Sequence, residues 1–176
     1  MATEQEKTLE AIKIAIQMEV DGKAFYLKAS QQSGNELGRK LFQSLADEED
    51  IHRQKFEEVY DTLRNKKVWQ KVALKLDREK SPKTVFSQAI GEIASGVKAT
   101  ATELDAVKMS MDMENKTYDF YKGSEKIASY DAERNFYKRL AAEESTHHLV
   151  LLDYYEYLKD PAGWFVKKEH PSLDGG

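Results

Sequence analysis

The sequence predicts an all-α protein, a four-helix bundle built from two repeated helical hairpins with a long crossover between the second and third helices. Three observations carry this expectation. The composition suits helices and one core: 40% of the 176 residues are hydrophobic and only three are proline. Long stretches place apolar residues at steps of three and four, the spacing that lines one helix face. Sliding the chain along itself by 95 residues matches 15 of the 55 positions from 9 to 63 without a gap, where roughly three identities are expected from ordinary residue usage.

The first helix is expected over about residues 8–31, opening at Thr8. Its seam reads Leu9, Ile12, Ile16, Glu19 and Tyr26, with Lys23 as the position that breaks it. Glu19 therefore occupies a place where an apolar residue belongs. Gly34-Asn35 punctuates the chain. The second helix, over about residues 37–64, carries Phe42, Leu45, Glu49, His52, Phe56, Val59 and Leu63 in steps of three and four.

The crossover, about residues 65–101, allows a short helix over about 68–76 ended by Ser81-Pro82, and another over about 84–97 weakened by Gly91 and Gly96. A connection of this length can carry the chain the length of a bundle. The third helix, over about 102–128, is expected to be capped by Thr102, with Asp105 as partner, and runs through Leu104, Val107, Met111, Glu114, Tyr118 and Tyr121. The fourth, over about 132–159, runs through Tyr137, Leu140, Glu144, His147, Leu151, Tyr154 and Leu158 until Asp160-Pro161 stops it. The bundle thus covers residues 1–160, followed by a tail over 161–176 whose Trp164-Phe165 pair is expected to dock on its own domain or a sister subunit.

The repeat brings chemistry with it. Glu49 and His52 are three residues apart, as are Glu144 and His147, and each pair shares one helix face. The 95-residue offset also matches Glu19 with Glu114. Four glutamates and two histidines thus face inward from four helices. Clustered carboxylates repel one another and lose solvation. Two divalent metals restore the balance, since four negative charges meet four positive ones with both imidazoles neutral. Carboxylate and imidazole are donors for iron, manganese or zinc. Oxidation to two trivalent ions leaves a charge that an oxo or hydroxo bridge can supply, which points to a redox-capable pair. Such a pair is expected about 3.5–4 Å apart, with coordination positions left open for a small oxidant.

Composition excludes other classes. A net charge of −4 argues against nucleic acid and gives no reason to invoke an anionic membrane. No apolar run approaches the roughly 18 residues of a membrane span. The polar first ten residues do not read as a secretory leader, so a soluble cytoplasmic protein is expected. With no cysteine, disulfides, thiol catalysis and iron–sulfur or rubredoxin-type centres are out of reach.

On the paired Glu and Glu-x-x-His motifs, residues 8–160 resemble the rubrerythrin-like, stand-alone erythrin branch of the ferritin-like di-iron carboxylate superfamily. The resemblance implies a ferritin-like bundle holding two iron ions, with manganese or zinc as alternative occupants. Glu19 and Glu114 would be terminal ligands, Glu49 and Glu144 bridging ligands, and His52 and His147 one per metal. It also implies that Tyr26 and Tyr121, each seven residues beyond a ligand glutamate, bond the ligand carboxylates; plain bundle packing is the other reading of the two tyrosines. Two departures stand out. No cysteine-bearing electron-feeding domain is present in this chain, and the third-helix position where the family tends to place another Glu is Thr117, with Gly22 as its repeat mate.

The function this implies is a di-iron oxidoreductase of the peroxidase or oxidase type. It would reduce hydrogen peroxide or dioxygen in oxidative-stress defence, fed by an external electron donor protein and working as a homodimer. A ferroxidase or iron-handling binding protein is the alternative, and a metal-free bundle with a register-fixing polar core is the third reading. Glu48 and Glu143 recur in the repeat but lie about 100° around the helix from the ligands, so surface ion pairing is expected of them, with support of the ligands from behind as the other reading. His148 stands four residues after Glu144, but the repeat register favours His147 as the ligand. Met109, Met111 and Met113 are expected to fill the core.

Overall fold

The computed structural model describes residues 3–66, 68–69, 71–72, 74, 77–92 and 99–169. These form six helices, α1 (Glu4–Gln32), α2 (Glu36–Lys66), α3 (Pro82–Gly91), α4 (Ala101–Ile127), α5 (Asp131–Lys159) and α6 (Pro161–Glu169). The architecture is an all-α, ferritin-like bundle. α1 packs along α2 and α4 along α5, while α1 and α4 touch only sparsely. The two hairpins therefore face each other mainly through long side chains. Among the described residues no helix is long and apolar enough to cross a membrane.

Capping sets the helix starts, and in two places it moves them. α1 begins four residues before Thr8 because Thr3 and Glu6 form a reciprocal capping box: Glu6 N–H donates to Thr3 Oγ1 at 3.2 Å and Thr3 N–H to Glu6 Oε2 at 2.7 Å. Thr8 is already helical and donates its hydroxyl to the Glu4 carbonyl. α4 is capped by Thr100 rather than Thr102, through Glu103 N–H. Ser81-Pro82, expected as a stop, instead starts α3, with Ser81 as N-cap and Pro82 in its first turn. Residues 93–98, which include the rest of the helix expected over 84–97, lie outside the described residues.

No helix forms at 68, 69, 71, 72 or 74, and the remaining positions of the expected 68–76 segment lie outside the described residues. Trp69 and Leu74 are both buried against the bundle, and Arg139 donates to the Leu74 carbonyl at 3.0 Å. Residues five apart point about 140° away from each other on a helix, so an irregular path is what lets both reach the same core. Asp160 does more than end α5. Its carboxylate accepts from Gly163 N–H at 3.0 Å and opens α6, whose Trp164 stacks edge-on against Tyr157 and Phe86. The aromatic pair of the tail thus docks on its own chain, as far as Glu169.

The seam of α1 also differs in detail. Ile12, Ala15, Glu19, Gly22 and Tyr26 are buried, while Leu9 and Ile16 are half-buried. Lys23 does not interrupt the seam; it leans out to Asp50 at 2.9 Å, and the seam passes through Gly22. The glycine lets Glu49 come close, since a Cβ would lie 3.3 Å from Glu49 Oε2 and the carboxylate would have to shift by a few tenths of an ångström. Of the three methionines expected to fill the core, half-buried Met111 packs against it, Met113 is half-buried, and Met109 is exposed.

One end of the bundle is closed by a buried polar hub invisible in the helix pattern. Glu103 Oε1 accepts from Ser33 Oγ at 2.6 Å, Asn35 Nδ2 at 2.6 Å and Tyr154 Oη at 2.8 Å. Gly38 lies against it, and a Cβ there would come within 2.3 Å of Ser33 Oγ and 2.4 Å of Tyr154 Oη. Gly→Ala inside a helix ordinarily stabilises by up to about 1 kcal/mol. At Gly38 the hub cannot yield without breaking hydrogen bonds, so Gly38→Ala is expected to destabilise by about 1–3 kcal/mol, read as a fall in melting temperature of about 3–10 °C. An unchanged or higher melting temperature would mean that the hub is loose.

Candidate metal centre

Each of the four long helices delivers part of one buried cluster. α1 contributes Glu19 and α4 Glu114, each in the middle of its seam, while α2 brings Glu49 with His52 and α5 brings Glu144 with His147. All six are at most 4% exposed. Their donor atoms form two sets, each within 4.8 Å: Glu19, Glu49, His52 and Glu144, and Glu49, Glu114, Glu144 and His147. Glu49 and Glu144 belong to both, which is the geometry of two carboxylates shared between two cations. The two imidazoles lie nearly parallel, with ring centroids 5.7 Å apart.

The cluster converges without satisfying itself. His52 Nδ1 lies 3.2 Å from Glu144 Oε1 and 3.5 Å from Glu19 Oε2. His147 Nδ1 lies 3.4 Å from Glu49 Oε1, 3.5 Å from Glu144 Oε2 and 3.6 Å from Glu114 Oε2. Yet seven of these buried atoms have no hydrogen-bond partner: Glu19 Oε2, Glu49 Oε1, both nitrogens of His52, both oxygens of Glu144, and His147 Nδ1. Buried polar atoms are almost always paired. Unpaired donors aimed at common points are what a ligand set for cations requires, and the carboxylate and imidazole chemistry fits a first-row metal pair.

Electrostatics agree. Burial, reinforced by the charges of Glu19 and Glu144, pushes the Glu49 carboxyl well above the usual carboxylate range. Burial and the Glu144 charge raise Glu114 to about 8 against the pull of His147. Burial alone would raise Glu144 too, but the close approach of His147 and His52 holds it well below the usual range. For the histidines burial works toward neutrality and is overcome by the carboxylates, chiefly Glu19 and Glu144 at His52 and Glu114 at His147, so both are raised well above the usual value.

The tyrosines cross between the hairpins. The Tyr26 hydroxyl donates to Glu114 Oε1, and the Tyr121 hydroxyl donates to Glu19 Oε1. Burial, with the neighbouring carboxylates, pushes both phenols well above their usual range, so they stay protonated and keep donating. Glu48 takes the second of the two roles open to it, behind a candidate ligand and not at the surface. It is buried, and its Oε2 lies in hydrogen-bond contact with His147 Nε2 at 2.8 Å. One signal for it was available, because Leu41, Leu45, Glu48 and His52 form a second row in steps of four, three and four. Its repeat mate Glu143 is half-buried, and His148 stays outside the cluster with Nδ1 3.4 Å from the Met111 carbonyl.

A family model described as Rubrerythrin matches residues 10–155. The chain belongs to the rubrerythrin family. Comparison with curated proteins and with solved structures gives no match. Family membership and the buried Glu/His cluster together support a di-iron protein of the ferritin-like type. Thr117, the position where the resemblance leads to the expectation of a further Glu, and its repeat mate Gly22 carry no carboxylate. Thr117 turns its hydroxyl to the Met113 carbonyl at 3.1 Å. A cavity of about 390 Å³ opens beside it, with Gly22, Tyr26, Glu49 and Glu114 among its lining.

These shifts fix the pH response of the metal-free protein. Glu49 and Glu114 hold protons in the fold, so their contribution is complete below the unfolded value of 4.5 and is lost as pH rises, for Glu114 through about 8. The raised histidines add stability that is complete below 6.5 and is lost at higher pH. Glu144 runs the other way, contributing above 4.5 and losing that contribution as pH falls. The melting temperature of metal-free protein should therefore fall steadily from about pH 5 to about pH 8.5. Calorimetry across that range tests it, and a flat profile would contradict it.

Proposed function

We propose that this rubrerythrin-family protein is a di-iron oxidoreductase of the cytoplasm that reduces hydrogen peroxide or dioxygen in oxidative-stress defence. In this reading it works as a homodimer and takes electrons from a separate donor protein. The observation that supports it best is the pair of overlapping ligand sets whose buried donor atoms lack hydrogen-bond partners. Iron is proposed over zinc because reduction of an oxidant needs an ion that changes oxidation state.

When bound, a di-iron pair supplies two electrons in one encounter, the number that takes peroxide to water, whereas dioxygen taking up two electrons stops at peroxide. The protein's own part is positional. Glu19 and Glu114 would each serve one metal, His52 and His147 likewise, and Glu49 and Glu144 would serve both. Tyr26 and Tyr121 hold one oxygen of Glu114 and one of Glu19, leaving the other oxygen free to point at a cation. The cavity beside Gly22 and Thr117 gives a small oxidant a route to Glu49 and Glu114, and Met18, Phe25 and Met113 make much of its wall apolar. One observation favours a second reading, a ferroxidase or iron-handling protein: the site has four carboxylates and lacks a further one at Thr117.

Two measurements test this. Elemental analysis should find two iron ions per chain, and removing them by chelation should lower the melting temperature by about 10 °C or more, the scale of losing ligands bound far above their dissociation constants. A chain with one metal, or one whose stability ignores chelation, would sink the di-metal reading. Anaerobic, reduced, iron-loaded protein should be oxidised faster by hydrogen peroxide than by an equal concentration of dioxygen in stopped-flow mixing. Equal or reversed rates would shift the assignment to the ferroxidase reading.

A further inference from the structure

We infer that Glu48 is a positioning residue that makes the two halves of the duplicated centre unequal, so that the cation held by Glu49, Glu114, Glu144 and His147 binds first and more tightly than the one held by Glu19, Glu49, His52 and Glu144. The inference rests on the metal-centre reading above and adds an order of filling to it.

The geometry is local. A carboxylate oxygen is a hydrogen-bond acceptor, so the 2.8 Å contact to Glu48 Oε2 favours the tautomer of His147 with its ring proton on Nε2. In the neutral ring that leaves the Nδ1 lone pair for a cation to take in place of a proton, and Nδ1 is the atom that faces Glu49, Glu114 and Glu144. The ring is thus held in the tautomer and orientation a cation needs, and a carboxylate behind an imidazole makes it a stronger donor. His52 has no such support. Its Nε2 has no hydrogen-bond partner, so nothing on that side selects between its two tautomers. The repeat puts Glu143 where a matching carboxylate would stand, but Glu143 is half-buried whereas Glu48 is 5% exposed. A duplicated sequence therefore folds into an unequal pair, with the ordered imidazole and one additional buried carboxylate at the His147 end.

The test is anaerobic titration of metal-free, full-length protein with Co(II), followed by calorimetry and by the visible absorption of the bound ion. Wild type should bind two ions in two resolved steps. His147→Ala should abolish the tighter step and His52→Ala the weaker one. Glu48→Leu, which removes the acceptor, should weaken the tighter step by about 10–100-fold and alter its absorption band. Glu48→Gln, which keeps an acceptor oxygen, should recover part of that loss, and Glu143→Gln should leave both steps as they are. Should Glu48→Leu fail to fold, Glu48→Gln decides the matter by itself, and its tighter step should be weaker than in wild type. Two indistinguishable steps in wild type, or a tighter step unmoved by the Glu48 variants, would overturn the inference while leaving the metal centre standing. No cobalt bound by wild type would overturn both.

Discussion

Mutual repulsion among four buried carboxylates is the constraint to which the rest of the structure answers. Two unit charges about 4 Å apart interact by roughly 4 kcal/mol even at an effective dielectric constant of 20, and Glu49 and Glu144 lie within 4.8 Å of each other, of Glu19 in one set and of Glu114 in the other. Without cations the fold meets the repulsion by holding protons, on Glu49, on Glu114 and on the two histidines. With cations the same atoms become a ligand set. The apolar layers on either side keep the cluster in place. Tyr26, Phe42 and Leu45 lie in one core and Phe56, Tyr121 and Tyr137 in the other.

The two hairpins are copies, yet the molecule uses the copies differently. The crossed bonds from Tyr26 to Glu114 and from Tyr121 to Glu19 obey the internal symmetry and tie one hairpin to the other through the centre. Away from the centre the symmetry lapses. Glu103 gathers Ser33, Asn35 and Tyr154 at one end, while the corresponding positions 8, 128, 130 and 59 hold Thr, Ala, Tyr and Val. At the other end Glu133 caps the chain turn instead, accepting from Ser129 N–H at 3.1 Å. The six Glu and His positions of the cluster are identical in the two copies, while the end caps are not.

Space beside the centre follows from what two positions lack. Gly22 admits Glu49 to close approach, and Thr117 satisfies its hydroxyl on its own helix. Neither adds a carboxylate to the Glu/His cluster, and both line the cavity. The cavity lies on the face where α1 and α4 touch only sparsely.

The sequence by itself determined the helical class, the hairpin repeat and the six inward-facing ligand candidates, because a period of three and four and an offset of 95 residues are properties of the chain alone. It also placed Tyr26 and Tyr121 on the right helix faces. It misjudged the irregular stretch near Trp69, the start of α3 and the exposure of Met109, since each depends on which surface is there to receive the side chain. Glu48 shows the limit most directly. Its repeat partner Glu143 has the same neighbours in sequence, Ala-x before it and a ligand glutamate after it, and nothing in that local pattern says that one carboxylate is buried against an imidazole and the other is not. Only the packing of α2 against α5 decided that, because burial and hydrogen bonding are set by the facing helix and not by the helix that carries the residue.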